Sequence, residues 1–131
     1  MTATAAIFAP RGEVLSTAER RFFADANPWG FILFARNIGT ADQLRGLCAD
    51  LRETLGRDAP ILIDQEGGRV QRTLPPLARR WKPPLDDVLR LGDRAAEGMY
   101  LRARIIAAEL KGFGIDVNCI PTLDVATEYT H

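Results

Sequence analysis

The sequence contains very little histidine and cysteine, which limits the chemistry that it can hold. Its one histidine, His131, is the last of 131 residues, and its two cysteines, Cys48 and Cys119, are far apart. These residues therefore contain no HExxH zinc motif, no serine-histidine-aspartate triad and no cysteine-histidine metal framework. We expect no bound metal and no cofactor, and we expect both cysteines to be reduced thiols in the core.

The sequence also lacks net charge and long hydrophobic runs. Seventeen Lys and Arg balance seventeen Asp and Glu, so no net field attracts nucleic acid or an acidic membrane. The most apolar window, residues 29–35, is far too short to span a bilayer, and residues 1–10 lack the features of a signal peptide. These absences predict a soluble, cytoplasmic protein with no nucleic-acid and no membrane partner.

The sequence does contain alternating apolar runs and amphipathic helical segments. Ser16 with Glu19, and Thr40 with Gln43, are predicted capping boxes at the starts of two helices. The predicted strands are residues 5–9, 31–34, 60–63 and 115–120; the predicted helices are residues 16–25, 44–55 and 93–111; residues 64–84 form a long loop. Uniformly apolar strands between helices are typical of a parallel sheet, either doubly wound or in a (β/α)₈ barrel.

Many polar side chains follow the third predicted strand, in the string DQEGGRVQR at residues 64–72. In both architectures, side chains that follow a parallel strand lie at the binding site. Carboxylates accept hydrogen bonds from hydroxyls and arginines donate to them, so this segment suits sugar binding. A structural alternative is that Glu66 pairs with Arg69 or Arg72 and that Asp64 caps a turn. We favour a binding role for Asp64 and structural pairing for Glu66 and Arg69, which are kept as weaker candidates for substrate binding.

Four other residues are weaker candidates for the same site. Asn37 and Asp124 follow the second and fourth strands, although single polar residues in such positions commonly satisfy loop backbone groups. Trp29 and Trp81 are of a type that stacks on sugar rings, but packing explains both equally well.

Three parts of the sequence resemble a known family, in the same order along the chain. They are GFILFARN at residues 30–37, DQEGGRVQR at residues 64–72, and GIDVN with PTLDV between residues 114 and 125. They resemble the opening half of family 3 glycoside hydrolases, in the branch of bacterial β-N-acetylhexosaminidases that remove terminal N-acetylglucosamine during peptidoglycan recycling. DQEGGRVQR is the specific string, and the others support it.

The resemblance implies a fold and a reaction. The fold is a (β/α)₈ TIM-type barrel, of which residues 1–131 would form a single partial domain of about four β/α units, with the C-terminal part missing. The reaction is hydrolysis of terminal β-linked N-acetylglucosamine from peptidoglycan fragments by a retaining mechanism, without metal or cofactor. The expected partner is this carbohydrate substrate, and the oligomeric state is left open.

The resemblance also implies roles for two residues. Asp64 matches the carboxylate that binds hydroxyls of the terminal sugar, and Arg72 matches an arginine of the substrate pocket. The family's nucleophilic aspartate and its acid/base histidine lie in later segments, for which residues 1–131 have no matching positions. We therefore expect no catalytic residue within this chain and no activity from the chain alone.

Other interpretations stay open at this point. Two such halves would pair into a non-catalytic, sugar-binding barrel, or the enzyme would act on β-glucosides, as other branches of the family do. A catalytic pair drawn from Asp64, Glu66 and Asp124 is disfavoured, because Asp64 and Glu66 lie only two residues apart and such pairs are about 5 to 9.5 Å apart.

Overall fold

Short apolar runs form a parallel sheet in the computed structural model, which describes residues 2–123. The strands are β1 (Thr4–Phe8), β2 (Pro28–Leu33), β3 (Ile61–Ile63), β4 (Gln65–Gly67), β5 (Val70–Gln71) and β6 (Val117–Asn118). Four of them form one sheet in the order β1-β2-β3-β6, with all three pairings parallel. Strands β4 and β5 form a separate antiparallel hairpin. The predicted α/β class with a parallel sheet is confirmed.

The helices are α1 (Thr17–Ala26), α2 (Ala41–Leu55), α3 (Pro84–Leu91) and α4 (Ala95–Lys111). Helix α1 begins at the predicted capping box, in which Ser16 and Glu19 each accept a hydrogen bond from the other's backbone amide. At α2 only half of the predicted box forms: Thr40 accepts from the Gln43 amide, but the Gln43 side chain accepts from the Gly39 amide. No helix in this part of the chain is long and apolar enough to span a membrane.

The core lies between the sheet and the helices. The register of β2 and β3 places Phe31 beside Ile61 and Leu33 beside Ile63, and all four side chains are fully buried. Helix α2 contributes a stripe at helical spacing to the same core, consisting of Leu44, Leu47, Cys48 and Leu51. Burying one such side chain contributes about 1.5–3 kcal/mol, so this layer holds β2 and β3 firmly in register.

The sheet is open at both edges within residues 2–123, because β1 and β6 each pair on one side only. Its second face is less well covered than the face under the helices: Ile7 of β1 is 44% exposed. Four parallel strands with helical crossovers are half the number in a closed (β/α)₈ barrel. The described residues thus contain four parallel strands and the three helical connections between them in an open sheet.

The segment expected to be a loop over residues 64–84 contains regular structure. Hairpin β4-β5 occupies its first half, and α3 follows it before α4 begins. Strands β4 and β5, of three and two residues, are too short to show the alternation of apolar and polar residues by which a sequence reveals a strand. Helix α3 is only eight residues long, and a proline occupies its first turn, where the missing amide costs little.

One cysteine differs from the sequence-based expectation, and helix α4 buries a charged side chain. Cys119 is exposed just after β6, whereas we expected it to be buried; both cysteines are free thiols, as expected. On α4 the buried stripe consists of Arg102, Ile106 and Leu110, so a charged residue occupies a core-facing position. A buried arginine needs specific partners, which lie in the hairpin segment described below.

Two glycines provide a matched test of the packing between β2 and β3. A Cβ at Gly30 of β2 would lie 2.6 Å from the Pro60 carbonyl oxygen, whereas a Cβ at Gly46 of α2 meets nothing within 4 Å. Gly30→Ala is therefore expected to lower the free energy of unfolding by about 1–3 kcal/mol. Gly46→Ala is expected to raise it by about 0.5–1 kcal/mol, because alanine favours the helix. Urea unfolding measures both changes, and a wild-type midpoint for Gly30→Ala would contradict the close approach of these strands.

Candidate functional site

Asp64 and Arg72 meet at the carboxyl end of β3. Asp64 is the first residue after this strand, and Arg72 comes directly after β5. Arg72 Nη2 lies 3.0 Å from Asp64 Oδ2, and the two side chains are 26% and 24% exposed. The ion pair is therefore held in place by the fold and is still open to a ligand.

An aromatic ring lies beside this ion pair. Phe34, the residue after β2, has its ring centroid 5.7 Å from the Arg72 guanidinium and 4.8 Å from that of Arg36. Because β2 and β3 are neighbouring parallel strands, their carboxyl ends bring Phe34 and Asp64 to the same edge of the sheet. The cation-π contact restricts where the Arg72 side chain lies.

The hairpin β4-β5 carries Arg72 back toward Asp64. Gln65 of β4 is 1% exposed, and its side-chain oxygen accepts from the backbone amides of Arg72 at 2.9 Å and Thr73 at 3.1 Å. Its side-chain nitrogen donates to the carbonyl and hydroxyl oxygens of Thr73. One buried amide group therefore ties the end of β3 to the segment that bears Arg72.

Asn118 of β6 holds the same strand end from the neighbouring strand. Its side-chain oxygen accepts from the Gln65 backbone amide at 2.9 Å, and its side-chain nitrogen donates to the Gln65 carbonyl at 3.1 Å. The Asn118 side chain thus bonds the Gln65 backbone as a neighbouring strand would. The peptide group that follows Asp64 is fixed to the sheet as a result.

Arg102 anchors the hairpin to the two C-terminal helices. Its buried guanidinium donates to the carbonyl oxygens of Glu66 at 2.5 Å and Lys82 at 2.8 Å, and pairs with the Asp87 carboxylate of α3. Burial by itself would raise the pKa of Asp87, but hydrogen bonds from Arg102 and Arg90 outweigh it, so this pKa is lowered. Helices α3 and α4 are therefore coupled to the segment that carries the candidate site.

The turn of the hairpin requires its paired glycines. Gly67 and Gly68 have φ values of +103° and +64°, a region that side chains with a Cβ rarely adopt. A Cβ at Gly67 would also lie 2.5 Å from the Lys82 carbonyl oxygen. The two glycines therefore allow the tight turn between β4 and β5.

Asn37 has a structural role. It is fully buried, its side-chain oxygen accepts from the Phe34 amide, and its side-chain nitrogen donates to the carbonyls of Pro10 and Gly12. These bonds join the segments that follow β1 and β2. Of the two interpretations open at Asn37, the geometry favours satisfaction of loop backbone groups.

The ion pairing expected for Glu66 and Arg69 is wrong for the residues that the structure describes. Neither residue belongs to an ion pair in that part of the chain, and Arg72 pairs with Asp64 instead. The reason is the alternation of side chains in β4: Gln65 points into the protein, so Glu66 points to the opposite side. Asp124, the remaining candidate, lies outside the described residues.

The two tryptophans lie in different surroundings. Trp81 packs against the core, and the guanidiniums of Arg79 and Arg102 lie 5.5 and 5.1 Å from its ring centroid. The geometry thus favours packing over sugar stacking for Trp81. Trp29 is 46% exposed at the amino end of β2, away from the carboxyl strand ends where Asp64 lies.

Both cysteine thiols have raised pKa values. Burial raises the pKa of Cys48 to about 11. Desolvation is the main cause of the raised pKa of Cys119, and the neighbouring Asp64 carboxylate adds to it. Both thiols are therefore neutral near pH 7, and Cys119 lies close to the ion pair, a position that the sequence pattern does not reveal.

The arrangement is suited to recognising neighbouring hydroxyl groups. Asp64 supplies a hydrogen-bond acceptor, Arg72 supplies donors, and Phe34 supplies an apolar surface. The Nε atom of Arg72 is buried and has no hydrogen-bond partner among the described residues. Across residues 2–123, no three His, Cys, Asp or Glu side chains come together as metal ligands.

Comparisons with known proteins find similar sequences and structures, although no family model matches the chain. The chain is 36% identical over 115 residues to a β-hexosaminidase from Methylococcus capsulatus, covering 87% of this chain and 34% of that protein. Its fold resembles that of NagZ from Neisseria gonorrhoeae, solved in complex with N-trifluoroacetyl-D-glucosamine, with a TM-score of 0.81 and 28% sequence identity. This similarity covers 94% of this chain and 37% of the NagZ chain. It also resembles a glycoside hydrolase family 3 β-N-acetylglucosaminidase from a Paenibacillus strain, with a TM-score of 0.78, 31% identity, and coverage of 91% and 23%.

The chain resembles the N-terminal part of the bacterial β-N-acetylhexosaminidases of glycoside hydrolase family 3. This confirms the resemblance seen in the sequence strings and the α/β fold that it implies. The chain spans about a third of the length of the curated relatives that it matches. The hairpin β4-β5 and the ion pair of Asp64 and Arg72 lie within the part of the chain that these similarities cover.

The buried pair of Asp87 and Arg102 predicts a loss of stability in acid. Because the pKa of Asp87 in the folded protein lies below its ordinary value of 3.8, the pair stabilises the fold fully above that pH and less as the pH falls through the lowered pKa. Asp87→Asn is expected to lower the free energy of unfolding by about 3 kcal/mol at neutral pH, and by progressively less in acid.

Asp86→Asn, at the exposed neighbouring position on α3, is the control for the change of charge. Urea unfolding at several pH values between about 2.5 and 7 measures both variants. A loss of the same size for Asp87→Asn at every pH would contradict the lowered pKa.

Proposed function

We propose that this chain, as a single partial barrel domain of residues 1–131, is the N-terminal part of a longer β-N-acetylhexosaminidase, in which Asp64 and Arg72 bind the terminal sugar. The observation that carries the proposal is their ion pair, 3.0 Å long, at the carboxyl end of β3. Parallel α/β sheets and barrels bind their substrates at these strand ends. The names of the relatives, and the glucosamine derivative bound to NagZ, support a carbohydrate substrate.

The ion pair suits a sugar because each partner complements hydroxyl groups. A hydroxyl that donates to Asp64 and accepts from Arg72 bridges the pair without separating the two charges. The guanidinium in turn keeps the carboxylate in a fixed orientation. Binding of this kind holds the terminal sugar, and with it the glycosidic bond, in place for groups elsewhere in the enzyme.

We assign the bond-breaking step to residues outside this chain. A retaining glycosidase places its nucleophile and its acid/base group on opposite sides of the bond, about 5 to 5.5 Å apart. Asp64 and Glu66 both lie just after the carboxyl end of β3, and the Asp64 carboxylate forms an ion pair with Arg72. We therefore do not assign these two carboxylates to the catalytic pair. The proposed reaction removes terminal β-linked N-acetylglucosamine from peptidoglycan fragments through a covalent glycosyl-enzyme, in the cytoplasm.

The binding role of Asp64 is tested in the full-length enzyme. Asp64→Asn is expected to raise KM and to lower kcat/KM by about ten- to a hundredfold, because hydrogen bonds to a charged group contribute about 1.5–3 kcal/mol. Asp116→Asn is the matched control, since Asp116 pairs with Arg52 at 2.6 Å just before β6, at the opposite end of the sheet. The control should lose stability while its KM stays unchanged. If Asp64→Asn had the KM and kcat/KM of the wild-type enzyme, the proposed sugar-binding role of Asp64 would be wrong.

The substrate class is tested with two chromogenic substrates. The full-length enzyme is expected to hydrolyse 4-nitrophenyl N-acetyl-β-D-glucosaminide with a higher kcat/KM than 4-nitrophenyl β-D-glucoside. A preference for the glucoside would identify a β-glucosidase instead. Hydrolysis of neither substrate, together with a dimer of residues 1–131 in light scattering, would favour the non-catalytic sugar-binding half-barrel.

A further inference from the structure

The buried side chain of Gln65 has all of its hydrogen-bonding positions filled. Its oxygen accepts two hydrogen bonds and its nitrogen donates two, which is the full capacity of a primary amide. All four bonds go to Arg72 and Thr73. The backbone amide of Arg72 is therefore held directly by the Gln65 side chain.

The backbone of Gln65 is located just as firmly, from the other side. Asn118 bonds both its amide and its carbonyl, at 2.9 and 3.1 Å. Asp64 is joined to that backbone through a single peptide bond. Gln65 therefore connects both members of the ion pair: Asp64 through the chain and Arg72 through its side chain.

We propose that Gln65 is a positioning residue for sugar binding, which sets the separation between the Asp64 carboxylate and the Arg72 guanidinium. The inference rests on the proposed function, because Gln65 acts on the sugar only through these two residues. At 1% exposure, Gln65 is itself too deeply buried to touch a ligand.

Gln71 allows positioning to be separated from general support of the fold. It is paired with Gln65 across the hairpin, and it is also buried, at 8% exposure. Its side chain forms hydrogen bonds with backbone groups of residues 73, 79 and 81, and none with Arg72 among the described contacts. The two glutamines thus match in type, strand pairing and burial, and both donate to the Thr73 carbonyl, but only the Gln65 side chain accepts from the Arg72 amide.

The experiment uses the full-length enzyme and 4-nitrophenyl N-acetyl-β-D-glucosaminide. Methionine is the replacement, because it is close to glutamine in length and volume and removes the hydrogen bonds. Gln65→Met is expected to raise KM about tenfold with a much smaller change in kcat, since a slightly misplaced binding group weakens substrate binding. Gln71→Met is expected to lower the melting temperature by a similar amount while KM stays close to the wild-type value.

A double-mutant cycle tests whether Gln65 acts through Arg72. If it does, Gln65→Met lowers kcat/KM much less in an Arg72→Met enzyme than in the wild-type enzyme. An equal fold-loss in both backgrounds overturns the proposal. An equal rise in KM for Gln65→Met and Gln71→Met overturns it as well.

Asn118→Ala is the second variant, used where Gln65→Met does not fold at the assay temperature. It removes the two bonds to the Gln65 backbone and leaves the Gln65 side chain in place. A smaller rise in KM that disappears in the Arg72→Met background supports the proposal, and an unchanged KM overturns it.

The outcomes distinguish the two levels of inference. Unchanged kinetics for Asp64→Asn would mean that the proposed function fails. A loss for Asp64→Asn, combined with a Gln65→Met enzyme that behaves like Gln71→Met, would mean that only the positioning role fails.

Discussion

Polar groups that follow a fully buried strand have to find their hydrogen-bond partners within the protein, because water does not reach them. Strand β3 is buried along its whole length, and Gln65, Gln71 and Thr73, which follow it, are buried too. Their bonds to one another and to nearby backbone groups form an ordered hairpin from a polar segment of the chain. The exposed side of this ordered segment carries Asp64 and Arg72.

Two kinds of support surround this ion pair. The apolar contact between β2 and β3 keeps their ends in register, so Phe34 and Asp64 lie at the same edge of the sheet. Arg102 ties the outer side of the hairpin to α3 and α4 through Asp87. Because the chain carries no net charge, the proposed sugar binding depends on the geometry of a few groups more than on a long-range field.

Parts of the fold and of the site are readable from local patterns, and others are not. The parallel strands and helix α2 follow from apolar runs and a helical stripe, because burial of one face selects those periods. Asp64 is recognisable as the first residue after a buried strand. Arg102 escapes detection, because a charged residue in a core-facing position is explained only by partners distant in sequence. The same is true of Asn37, whose backbone partners lie after β1.

The sequence by itself determined the order of the four parallel strands and of helices α1, α2 and α4, the capping of α1, and the presence of paired carboxylates and arginines after β3. Only the tertiary structure decided which of these charges meet. Side chains alternate in β4, so Gln65 turns inward and Glu66 outward, and the short return strand brings Arg72, rather than Arg69, to Asp64. Which arginine pairs with Asp64 depends on the direction of each side chain in a hairpin of two very short strands. Composition and spacing do not determine these directions.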